Sequence, residues 1–191
     1  LAQKGGFIEP TMVLWGASWG MREKWEREDY GLLKEPGLSY IPEDQRLLWL
    51  DHHYAAYGAR VRDEPKRDVV IGNRYSIYGI LPEEQLREGH GRLQEFLCRL
   101  VQAGGNVVTG TDSGAADIPG ISLHRELEFM VAAGLSPMQA IQAATKVGAD
   151  YLGKRKELGT LEDGKLADLI VVSGNPLEDI THARRIEMVI K

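Results

Sequence analysis

The chain has 191 residues, 43% of them apolar and 27% charged, which is the composition of a folded globular protein with one sizeable core. Lys and Arg number 23 against 28 Asp and Glu, a net charge of -5 with no long block of either sign, so nucleic acid and anionic membrane are poor candidates as partners. The single cysteine, Cys98, excludes an intramolecular disulfide and a zinc site built mainly on thiolates, so a metal here needs His and carboxylate ligands.

The opening Leu1-Ala2-Gln3-Lys4-Gly5-Gly6 reads as the last turn of a helix with its glycine stop, and the chain is expected to be the C-terminal part of a longer protein. Phe7 to Val13 predicts a short strand that Pro10 threatens to end early. The stretch from Trp15 to Pro42, punctuated by Gly31, Pro36 and Gly37, reads as a long connection. Pro42-Glu43-Asp44 opens a helical pattern through Leu47, Leu50, Tyr54 and Tyr57, whereas residues 60–79 have no clear assignment.

Leu81-Pro82-Glu83-Glu84 starts a second helix with proline and acids in its first turn. Its apolar face runs through Leu86, Leu93, Leu97, Leu100 and Val101 to the stop at Gly104-Gly105. Asn106 to Gly110 is the next strand, and a glycine-containing loop, Thr111-Asp112-Ser113-Gly114, follows it; helix, strand and loop in that order make an α/β unit. A further helix carries Leu123, Leu127, Met130 and Val131 and stops at Gly134. Ser136-Pro137-Met138-Gln139 is a capping box with proline at the first helical position, and Ala140, Ile141, Ala144, Thr145, Ala149 and Leu152 form the small-residue face of the helix it begins. After Gly153 three short strands are expected, near 158–161, 169–172 and 186–190, and they need a sheet partner. No internal repeat, low-complexity segment or run of roughly 18 apolar residues is found, and with no signal pattern a cytoplasmic location is the expectation.

Asp112 is the leading functional candidate. A carboxylate just past the C-terminal end of a buried strand stands where parallel α/β folds put their reactive groups, and it can bind a metal or accept a proton from water. On position alone, an Asx-turn aspartate that only satisfies loop N–H groups is equally well supported. Thr111 and Ser113 flank it outside any G-x-S-x-G elbow, so a serine nucleophile is not indicated. His52 and His53 are adjacent on a helix, point about 100° apart and cannot share an ion. His124, near the start of the next helix, is a candidate for substrate contact, although capping or packing fits its spacing slightly better. Trp15, Trp19 and Trp25 fit a pocket wall and plain loop packing equally well. Cys98 reads as a small buried hydrophobe, and His90 and His182 belong to no constellation. Gly105, Gly110 and Gly114 match no nucleotide-binding loop.

Four segments in series carry a family resemblance. They are Val107 to Gly114 (Val-Val-Thr-Gly-Thr-Asp-Ser-Gly), Ser122 to Glu128 (Ser-Leu-His-Arg-Glu-Leu-Glu), Ala133 to Thr145, and Leu158 to Val172 with its Leu-Glu-Asp-Gly-Lys-Leu-Ala-Asp core. Together they resemble the metal-dependent amidohydrolase superfamily, most closely its imidazolonepropionase and prolidase-like branch. Gly5 to Met12 is similar to that branch's glycine then Pro-Thr strand.

The resemblance implies an α/β fold, the C-terminal part of a (β/α)8 barrel over residues 1–153 and the C-terminal strands of a small β-sandwich over 154–191. Phe7 to Val13 would be the seventh barrel strand and Asn106 to Gly110 the eighth. Asp112 matches the family's strand-eight aspartate, which binds the metal and shuttles the proton for the hydroxide that attacks the carbonyl. His124 falls in the family's helix after the Asp112 loop, a candidate either to contact substrate or to support a residue that does. The implied cofactor is a divalent metal, zinc first, and the implied substrate a small amide, peptide-like or cyclic amide molecule. The family's His-x-His, its bridging lysine or glutamate, and its strand-five and strand-six histidines have no counterpart here, and a full barrel runs about 250 residues. The chain alone is therefore expected to be inactive and to need the missing N-terminal part, with a homo-oligomer compatible with the reading. The alternatives are a non-catalytic remnant that binds a partner through its open strand edges, and, ranked last, a phosphoryl-transfer enzyme, for which no phosphate-cradling loop is present.

Overall fold

A computed structural model describes residues 5–12, 39, 41–42, 83–112 and 120–191, with side chains from residue 88 onward in the first helix. The helix expected through Leu47, Leu50, Tyr54 and Tyr57, the tryptophans 15, 19 and 25 of the long connection before it, the paired His52 and His53, and Ser113 lie outside the described residues. Among the described residues, 5–12, 92–111 and 122–191 pack as one unit, while 83–91, 112 and 120–121 belong to another.

Strand β1 (Phe7–Ile8) pairs in parallel with β2 (Asn106–Val107), Phe7 opposite Asn106 and Ile8 opposite Val107. The Val108 N–H extends the ladder by donating to the Ile8 carbonyl at 2.9 Å. Both strands are shorter than the sequence predicts. After Ile8 the chain meets Pro10, which has no N–H to donate, and the ladder from Asn106 does not reach Gly110.

Helix α1 (Glu83–Gln102) occupies the predicted place, and Leu97 and Leu100 on its apolar face are buried. It stops as the glycines require. The Gly104 N–H donates to the Val101 carbonyl at 2.9 Å and the Gly105 N–H to Leu100 at 2.8 Å, with Gly104 at φ +77°. This is a Schellman stop, in which a left-handed residue turns the chain back over the last free carbonyls. Helix α2 (Ile121–Ala132) ends the same way at Gly134, whose N–H donates to Val131.

The Ser136 capping box then starts α3 (Pro137–Ala144): the Gln139 N–H donates to Ser136 Oγ at 3.2 Å and the Ser136 N–H to Gln139 Oε1 at 2.8 Å. The expected single helix to Leu152 divides at Thr145, with φ -122° and ψ -88°, into α3 and α4 (Lys146–Tyr151). The Thr145 hydroxyl donates to the Ile141 carbonyl at 2.8 Å, offering that carbonyl a partner outside the helical ladder. Ala140, Ala143 and Ala149 stay buried across the break, but Leu152 is 67% exposed and leaves the packed face.

Two of the three strands expected after Gly153 are present. Strands β3 (Leu169–Val172) and β4 (Ile186–Ile190) pair antiparallel, Leu169 opposite Ile190, with a bulge between Val171 and Val172. Residues 158–160 form bends instead of a strand. Gly159, at φ +92°, lies so close to Ala149 and to the backbone of Thr145 and Lys146 that the segment is pinned to the start of α4 and cannot extend into a ladder. Between β3 and β4 a 3-10 helix (Ile180–Arg184) buries Ile180 in the core with Met12, Leu97, Leu127 and Met130. Arg184 also pairs with Glu128 of α2. Burying an isoleucine contributes about 1.5–3 kcal/mol, whereas a partly exposed ion pair contributes about 1 kcal/mol or less, so Ile180 is the stronger tie.

The contrast between two glycines checks this packing. Gly159→Ala is expected to destabilise the chain by about 2–4 kcal/mol, overpacking added to a strained φ, in urea unfolding. Gly164→Ala, at φ +85° with nothing within 4 Å of a new methyl, should cost only about 1–2 kcal/mol.

Candidate functional site at the strand ends

In parallel α/β structures the ligand groups gather where the strands deliver their C-terminal ends. Here those ends are Glu9-Pro10-Thr11-Met12 after β1 and Val108 to Thr111 after β2; Asp112 is the next residue along the chain and the first of the other unit. The Glu9 side chain of the first end lies over Gly110 of the second, so a methyl group at that position would have to displace this exposed carboxylate. Thr11 at φ +47° and Asp112 at φ +48° are the two non-glycine residues in the left-handed region among the described residues. For a β-branched threonine that conformation is strained, and Thr11 is held in it between buried Pro10 and Met12. Aspartate enters the left-handed region more readily, and Asp112 is exposed there. Glu9 is the residue sequence reasoning passed over. Its signal was a carboxylate interrupting the apolar run from Phe7 to Val13.

The remaining candidates are dispersed. His124 sits half-buried in the first turn of α2, followed by Arg125 and Glu126, both buried and both engaged in polar contacts. Cys98 packs beside Gly134 but is half-buried and not fully buried as expected, and its sulfur accepts from Gln102 Nε2 at 3.3 Å. His182 belongs to the corner after β3. Its ring lies against Gly174, Nδ1 accepts from the Asn175 N–H at 3.1 Å, and Asp179 stands 3.9 Å from Nε2. The Thr181 hydroxyl and N–H hold the Asp179 carboxyl below its ordinary value. His90 is buried on α1, and burial lowers its pKa.

A catalytic zinc takes three protein ligands and keeps a fourth position open. Among the described residues no three His, Cys, Asp or Glu side chains come together to hold a metal ion, so they do not by themselves fit a complete metal centre. No helix among them is long and apolar enough to cross a membrane.

Residues 80–191 match the model of the amidohydrolase family. The chain belongs to that family. It is 39% identical over 82 residues to ochratoxinase of Aspergillus niger, covering 42% of this chain and 16% of that protein. It is 33% identical over 76 residues to imidazolonepropionase of Symbiobacterium thermophilum, covering 39% of this chain and 18% of the relative. Among solved structures it is similar to a Xaa-Pro dipeptidase with methionine bound in the active site, at 27% identity and a TM-score of 0.52, over 75% of this chain and 32% of that one. The chain thus spans about a sixth of the length of the curated relatives it matches. Amidohydrolase membership and the likeness to the imidazolonepropionase and prolidase-like proteins agree with the resemblance read from the sequence.

The buried histidine supplies a test by pH. A folded-state pKa below the ordinary value of 6.5 means that folding favours neutral His90, so this contribution is complete above the unfolded pKa and is lost as pH falls through the folded one. Between about pH 7.5 and about pH 5.5 the native chain should lose more urea stability than a His90→Gln variant, which has no proton to take up there. Equal losses in both would remove His90 from the acid response.

Proposed function

We propose that this chain is the C-terminal share of a metal-dependent hydrolase that cleaves carbon-nitrogen bonds in small amide, peptide-like or cyclic amide substrates. The observation that carries the reading is Asp112, left-handed and exposed just beyond the end of β2 in a chain of the amidohydrolase family. On this reading residues 1–153 are the C-terminal part of a (β/α)8 barrel, with β1 its seventh strand and β2 its eighth. Their direct parallel pairing is what consecutive barrel strands require. Residues 154–191 are strands of a β-sandwich, and the two-stranded β3–β4 sheet with Val189 68% exposed has the unfinished character that such a share would have.

Asp112 contributes one carboxylate to a site whose other ligands come from earlier strands of the longer protein. A divalent metal there, zinc in first place, supplies Lewis acidity and a more acidic water. Asp112 itself accepts the water's proton and delivers it to the departing nitrogen, which would otherwise leave as a poor anion. His124 contacts the substrate from the first turn of α2. Alone, this chain is inactive, since one carboxylate cannot hold the ion. A second reading, a non-catalytic fragment that binds a partner, draws on the exposed apolar residues of β4, Ile186, Met188 and Val189.

The test is Asp112→Asn in the protein that carries the earlier barrel strands. Turnover of an amide substrate should fall about 10²–10⁴-fold with the melting temperature unchanged, because the amide keeps the shape and loses the proton acceptor. Turnover within a factor of a few of the native value would contradict the role.

A further inference from the structure

A second concentration of charge, unused by the hydrolytic reading, lies between α4 and the turn that follows it. A cleft of about 370 Å³ is lined by Lys146, Arg155, Lys156, Thr160, Glu162 and Lys165. Four of these side chains are cationic and one is anionic. Glu162 stays ionised, because the Thr160 hydroxyl and then Lys165 hold its carboxyl below the ordinary value. The cleft therefore keeps a surplus of positive charge at neutral pH.

The charges are placed by the fold and do not simply share a surface. Gly159, packed against Ala149 and the Lys146 backbone, brings Thr160 beside the first residue of α4. The Lys165 amine is bonded to Thr160 Oγ1 and stands 3.5 Å from Glu162, with its side chain only 11% exposed. The Arg155 Nε is 3.4 Å from Asp150, and the arginine side chain is otherwise open to an incoming ligand. Gathering four cations around one concavity raises their mutual repulsion, and a multivalent anion in the concavity relieves it. Ammonium groups bind phosphoryl oxygens as point charges, and the guanidinium binds them through paired N–H donors.

We propose that this cleft binds a multivalent oxyanion of the phosphate class, either free or carried on a small organic molecule. It is a binding site, independent of Asp112 and of the hydrolytic reading.

The test titrates the 191-residue chain with inorganic pyrophosphate, orthophosphate and ADP at fixed ionic strength, by calorimetry and by amide shifts of Thr160 and Lys165. Expected are saturable one-to-one binding, pyrophosphate tighter than orthophosphate, and a melting temperature that rises with pyrophosphate. ADP binding more tightly than pyrophosphate assigns the anion to an organic phosphate, and the reverse order assigns it to the free ion. A Lys146→Gln, Lys156→Gln double variant, changed only at exposed positions, should keep the native circular dichroism and bind at least about tenfold more weakly. Glu162→Gln should bind several-fold more tightly, an outcome that a purely structural role for Glu162 does not produce. Absence of saturable binding at millimolar pyrophosphate, displacement by chloride as effective as by orthophosphate, or undiminished binding in the double variant would each overturn the proposal.

Discussion

Two strands that run in the same direction cannot be joined by a tight turn; the chain must cross from the end of one back to the start of the other. The parallel pairing of β1 with β2 imposes that demand here, and α1, delivering the chain to Asn106 through the Gly104-Gly105 stop, is the described end of the crossover. The same pairing aligns the two strand ends, so that the segments after Ile8 and after Val107 emerge on one side with Glu9 against Gly110. The strained Thr11 belongs to the first of those segments. Backbone strain of this sort costs of order 1–3 kcal/mol and persists only where surrounding packing enforces it. Fully buried Met12, one residue after Thr11, is part of that enforcement.

Around this pair the packing is of two kinds. Met12, Leu97, Leu127 and Met130 make a core of close-fitting side chains, and Ile180 extends it to the C-terminal segment. The β3–β4 sheet is different, since Ile170, Met188 and Val189 are exposed and, among the described residues, the two strands have only each other as ladder partners. A lone pair of strands is marginal in water. The sheet is tied to the core at its corner, by Ile180 and by Arg184 with Glu128.

Much of this was legible in the sequence wherever a local signal is backed by backbone chemistry. Paired glycines at the end of α1, and Ser136-Pro137 with Gln139 at the start of α3, each solve the problem of unpaired N–H or carbonyl groups at a helix terminus, and they do so without tertiary help. Strand lengths were not legible in the same way, because a ladder exists only where a neighbour supplies partners, and neither Met12 nor Gly110 lies in the β1–β2 ladder. The bend at 158–160 follows from Gly159 meeting α4, a contact between residues ten apart that no periodicity encodes. Asp112 was singled out as a candidate because a strand followed by a glycine-flanked loop marks its position. Glu9 was not, since its place against Gly110 depends on which strand lies beside β1. The basic cleft was missed for the same reason, as Lys146 and Lys165 are nineteen positions apart.

The most direct measurement is the in-frame coding sequence upstream of Leu1, read for about two hundred codons, the length needed to complete a barrel of this class. The account predicts a His-x-His near its beginning and single histidines at the ends of two later strands, the ligands that Asp112 requires as companions. A stop codon followed by a start signal close to Leu1 would contradict it, and would leave a free-standing chain whose strand edges and apolar hairpin serve binding and not hydrolysis.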